Sequence, residues 1–86
     1  MNPYKDLQKE DNLIIREFSE NIDPTELKWH RDLKNREIKI IGESNWLIQL
    51  ENELPKEISS CFIPQKVWHR VIKGEGKLVL QIREWD

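Results

Sequence analysis

Beyond residue 12 the chain is cut into short segments rich in Ile, Val, Leu and Trp, each ended by polar or turn-forming residues. They cover residues 13–18, 26–33, 36–41, 46–51, 61–63, 67–72 and 77–85. β-Branched and aromatic side chains suit a pleated, half-buried surface, so these segments are expected to be strands. Their close spacing, without a βαβ rhythm, points to an all-β sandwich or barrel. Turn chemistry falls between them. Asp23 precedes Pro24, which disfavours helix there, while Gly42-Glu43-Ser44-Asn45 and Lys73-Gly74-Glu75-Gly76 supply residues that tolerate positive φ. The helical alternatives, residues 3–10 and 24–34, fit less well, the second because Trp29-His30-Arg31 suits a strand. Alternation supports the same assignment: Leu78, Leu80 and Ile82 share one strand face, with Lys77, Val79, Gln81 and Arg83 on the other.

At 86 residues the chain has material for one core, because a chain this short buries only roughly 60–65% of the surface it exposes when unfolded. Residues 1–12 are mostly polar without a clean period and are expected to form an N-terminal arm, leaving 13–86 as a single domain. A small core gains from a partner subunit, so a homodimer is expected. Fourteen Lys and Arg stand against 16 Asp and Glu, for a net charge of −2, with no basic stripe; this speaks against nucleic acid as a ligand. No run approaches the roughly 18 apolar residues of a membrane span, and the polar start lacks a signal-peptide core, so a cytoplasmic location and no membrane partner are expected. The single cysteine, Cys61, reads as a small buried apolar residue.

Both histidines occur in the same tripeptide, Trp29-His30-Arg31 and Trp68-His69-Arg70. In a strand each histidine points opposite its flanking Trp and Arg, so His30 shares a face with Asp32. Carrying that parity across Lys34–Asn35 gives a stripe of Arg36, Ile38 and Ile40, and since isoleucines seek the core, His30, Asp32 and Arg36 are expected to point inward. Trp29 and Trp68 then lie on the outer face, where large apolar rings suit a subunit interface.

These residues resemble the cupins, small double-stranded β-helix barrels. The first cupin motif, His-x-His then a Glu and a later Gly, looks like His30-Arg31-Asp32-Leu33-Lys34-Asn35-Arg36 followed by the turn at Gly42. The second, with Pro-x-Gly-x-x-His, looks like Phe62-Ile63-Pro64-Gln65-Lys66-Val67-Trp68-His69. The resemblance spans about residues 26–84 and implies a cupin-like barrel with a short N-terminal arm. It is degenerate at several places: Asp32 stands at the second histidine, Arg36 at the glutamate, Lys66 at the glycine after proline, Lys73 at the final asparagine and Ile58 at the first glycine. Glu37 is a carboxylate one residue late and, by parity, faces away.

Two uses of the same four residues stand open. By resemblance, His30, Asp32 and His69 form a two-histidine, one-carboxylate set for a divalent metal, Fe, Mn, Ni or Zn, with Arg36 holding an anionic ligand. Alternatively Arg36 and Asp32 form a bidentate ion pair that needs no cofactor, and Arg36 repels a cation. Three functions follow. The first is a small cupin-like protein whose inward polar pocket binds a small anionic molecule, with or without the metal. The second is a metal-free, non-catalytic barrel acting as a protein-interaction module. The third is a minimal metal-dependent dioxygenase or isomerase, against which the absence of material for a lid counts. The acidic stretch 51–57 reads as a solvated loop, and no phosphate loop or activated nucleophile is present.

Overall fold

The computed structural model describes residues 3–86. Its strands are β1 (Tyr4–Glu10), β2 (Leu13–Phe18), β3 (Asn35–Ile40), β4 (Leu47–Leu50), β5 (Lys56–Glu57), β6 (Ser60–Ile63), β7 (His69–Ile72) and β8 (Leu78–Trp85), with one 3-10 turn at Pro24–Glu26. They form two antiparallel sheets, one ordered β1-β2-β8-β3-β6 and the other β5-β4-β7.

The core follows from strand parity. Ile14 and Phe18 on β2 lie opposite Ile82 and Leu78 on β8, and Ile38 on β3 lies opposite Ile82 and Cys61. Since partners across a ladder share a face, one register places all of them in a single buried layer. Ile48 and Leu50 on β4 close that layer from the second sheet. Cys61 is buried within it, and the desolvation pushes its thiol pKa up. Trp46, at the entry to β4, is fully buried. Its indole packs at 5.9 Å from Phe18, and Nε1 donates to the Gly76 carbonyl at 3.0 Å. The two glycine turns meet beside it: Glu75 N donates to Asn45 Oδ1 at 2.7 Å, and a Cβ on Gly74 would lie against that oxygen and 2.7 Å from Trp46 N.

Two expectations change. Residues 4–10, expected as an arm, are strand β1, hydrogen-bonded along β2 with an irregularity between Asp6 and Gln8. Their pairing rests on backbone ladder bonds, on covering Arg16, and on one apolar contact, the Tyr4 ring edge-on to Phe18 at 5.8 Å. Residues 26–33, expected as a strand, begin in the 3-10 turn and continue irregularly, with a single bridge at His30. Asp23 accepts from Thr25 N and Oγ1, and Pro24 fixes the first turn position, so the local chemistry favours a capped turn. Residues 51–57 are exposed, as expected for the acidic stretch, but Lys56–Glu57 pair with β4 as strand β5 and are not loop.

Candidate metal and ligand site

The two Trp-His-Arg tripeptides pair with each other. His30 N donates to His69 O at 3.0 Å and His69 N to His30 O at 2.8 Å. In such an antiparallel pair the opposed side chains leave on the same side, so the two imidazoles meet with centroids 4.2 Å apart. The neighbours cross over on the other side. Arg70 lies over Trp29 at 4.8 Å and Arg31 over Trp68 at 5.2 Å, each cation covering the tryptophan of the opposite tripeptide. Trp29 and Trp68 remain 40% and 41% exposed and do not line the cavity that the histidines face.

That cavity, about 360 Å³, opens between the sheets. His30, Asp32, Arg36 and His69 all line it, beside apolar walls that include Ile48, Ile63 and Leu80. The parity expected from the sequence therefore survives the irregular stretch before β3. Glu37 pairs with Phe62 and Arg83 on the opposite face and takes no part.

Each histidine is held by its own backbone. His69 Nδ1 lies 2.9 Å from Val67 O, and His30 Nδ1 lies 3.2 Å from Lys28 O. A carbonyl only accepts, so Nδ1 carries the proton in both rings, and Nε2 of a neutral ring is left with its lone pair. His69 Nε2 lies 3.3 Å from Asp32 Oδ2. Two acceptors then face each other, a contact that needs a positive charge between them, either a second proton or a metal ion. Asp32 Oδ2 is itself buried and, among the described residues, receives no well-directed hydrogen bond, although Arg36 Nη1 is 3.1 Å away. One donor atom each from His30, Asp32 and His69 falls within 4.8 Å of the others. The donor set fits a divalent cation.

The electrostatics agree in direction. Burial opposes the charge on Asp32, but His69, Arg36 and His30 outweigh it and hold the carboxyl below its ordinary value. His30 sits at the rim, yet desolvation by the atoms around its ring, and then the proximity of His69, push its pKa down. Both shifts favour the deprotonated forms that ligate metals.

The ion pair expected between Arg36 and Asp32 is present but is not bidentate. Arg36 Nε instead donates to Glu84 Oε2 at 2.7 Å, leaving Nη1 for Asp32. Glu84 carried no motif and was not singled out. It faces Arg36 directly across the β3–β8 ladder, and the parity that put Leu78, Leu80 and Ile82 inward extends to it. Arg16, buried on β2 and bonded to Asp6 at 2.7 Å with its guanidinium 3.6 Å from the Tyr4 ring, likewise carried no motif, although it shares the inward face of β2 with Ile14 and Phe18.

Lys66 stands where the resemblance expects glycine, and its φ is +65°. The turn has kept a glycine-type backbone without the glycine. Lys66 N donates to Asp32 O at 2.7 Å, so this conformation also anchors the segment that carries Asp32. Lys66→Gly is expected to raise stability by about 0.5–1 kcal/mol, the left-handed strain of an L-residue less the added freedom of glycine when unfolded. A chemical melt that places the variant below the parent would show that the turn is not strained.

No known family profile matches the chain, and no characterised protein matches it in sequence. Solved structures do match in fold. A cupin domain from Bordetella pertussis superposes with a TM-score of 0.62 at 15% identity, over 96% of this chain and 92% of that one. A chain from the structures of DMSP lyases gives 0.73 at 13% identity, over 86% of this chain and 37% of that one. HppE in its Fe(II) form gives 0.63 at 20% identity, over 85% and 41%. The chain thus spans well under half the length of the lyase and of HppE. The protein has a cupin-type fold, and at these identities the likeness shows the fold alone. Among the described residues no helix is long and apolar enough to cross a membrane.

Proposed function

We propose that this cupin-type protein binds a small molecule in the cavity between its sheets, with a divalent metal held there by His30, Asp32 and His69. The observation that carries this reading is the convergence of one donor atom each from His30, Asp32 and His69 within 4.8 Å, around a buried Asp32 Oδ2 that receives no directed hydrogen bond among the described residues. A divalent ion on two imidazoles and one carboxylate keeps positions open for the oxygen donors of a ligand. Fe, Mn, Ni and Zn all suit such a set, and HppE offers an Fe(II) precedent on the same fold.

The chain's own residues do the rest. The Nδ1 contacts with Lys28 O and Val67 O fix both rings. The walls at Ile48, Ile63 and Leu80 exclude water and pack the ligand's apolar part. The cavity is at the small end of the range for small-molecule sites. Arg36 is engaged on two sides, so the attraction for an anion comes chiefly from the metal's charge and not from a free guanidinium.

Elemental analysis of protein purified without a polyhistidine tag tests the reading. Near-stoichiometric transition metal is expected, and it should vanish in His69→Ala. Protein that stays metal-free after incubation with each of the four ions would leave the site as the structural ion-pair network instead.

A further inference from the structure

The feature that most opposes a cation in this cavity is Arg36, a positive charge 3.1 Å from the carboxylate that would hold the ion. The structure pairs it with a charge of its own. Arg36 and Glu84 face each other across β3 and β8, their side chains are 13% and 15% exposed, and Nε to Oε2 is 2.7 Å. A continuous line of contacts runs from Glu84 through Arg36 and Asp32 to His69. One guanidinium against two carboxylates leaves Arg36, Asp32 and Glu84 with a net charge of −1.

We propose that Glu84 is a positioning residue for the metal: by neutralising Arg36 and holding it through Nε, it leaves Asp32 its negative charge for the ion. The inference rests on the metal reading above and goes beyond it by assigning Glu84 a role. Without Glu84, Asp32 would be the sole counter-charge to Arg36, and an arriving cation would have to compete with the guanidinium for the same oxygen.

The charge count gives an ordering that a packing role does not. Glu84→Gln keeps an acceptor for Arg36 Nε but takes the cluster to zero. Arg36→Gln takes it to −2, and the double variant returns it to −1. Affinity for Zn(II) and for Co(II), measured by calorimetry on each purified protein, is therefore expected to rank Arg36→Gln tightest, parent and double variant similar, and Glu84→Gln weakest. The Glu84→Gln loss is expected at roughly 10–100-fold, the size seen when residues behind a metal ligand are changed. The absorption of bound Co(II) checks that the same ligands are used, and melts of the metal-free proteins separate binding from folding.

If Glu84 only supports the fold, Arg36→Gln and Glu84→Gln both weaken binding and the double variant does not restore it. That pattern, or equal affinity in parent and Glu84→Gln, overturns the assignment while leaving the metal site standing. A parent protein that binds neither ion overturns both. Should Glu84→Gln fail to fold, Arg36→Gln against the double variant still decides: the expected result is tighter binding in the single variant, and equal or weaker binding overturns the role.

Discussion

Trp46→Ala is expected to remove about 3–5 kcal/mol of unfolding free energy. For a chain of 86 residues, whose whole stability is about 4–13 kcal/mol at roughly 0.05–0.15 kcal/mol per residue, that is enough to leave much of the protein unfolded. The indole is fully buried, fills the space beside Phe18, and satisfies the Gly76 carbonyl, so its loss opens a cavity and strands an acceptor together. Trp46→Phe divides the two causes. It keeps most of the apolar area and should lose about 1–3 kcal/mol, much of it from the stranded carbonyl. Urea unfolding of both variants measures the split, and an alanine variant within 1 kcal/mol of the parent would show that the turns at residues 42–45 and 73–76 do not depend on this ring.

Asp32→Asn is expected to have the largest effect on metal binding and a small effect on folding. The substitution takes away the one anionic member of the proposed ligand set and leaves Arg36 and Glu84 to cancel, so affinity should fall by more than the roughly 100-fold upper range for changes behind a ligand. Stability should move by less than about 2 kcal/mol. Arg36 keeps its bond to Glu84, and the desolvation that opposes charge on Asp32 disappears with the charge. The paired measurement is a metal titration and a melt of the metal-free protein. Full metal content in the variant would remove Asp32 from the ligand set, and with it the proposed function.

Strand content was legible wherever apolar residues alternate. Leu13–Phe18 matches its expected bounds, and β3, β4, β6, β7 and β8 fall within or next to the segments read from the sequence. What escaped has a physical reason. β1 is held by backbone pairing, by Asp6 reaching Arg16 and by the single Tyr4 ring against Phe18, interactions that leave no hydrophobic period. Residues 26–33 have β-forming composition, but a capped proline turn starts them and only the His30–His69 bridge engages them in a ladder.

The meeting of His30, Asp32, Arg36 and His69 was legible because it depends on parity, which the turn before β3 did not disturb. Glu84 was invisible as a site residue: it lies 48 positions beyond Arg36, and only the β3–β8 register reveals the pair. That the two tripeptides lie side by side was expected from the sequence, but the manner of their pairing was hidden. The repeat announced two like segments, but nothing in it states that they are antiparallel partners, with each arginine over the other's tryptophan.

That partnership ties strand β7 to the segment that leads into β3, and so bridges the two layers of the molecule at the same point where the imidazoles meet. Any spreading of the layers along this line pulls one ring from the other. The protein therefore cannot loosen its architecture there and keep its donors assembled; mechanical tightness and the proposed grip on an ion would be one property seen from two sides.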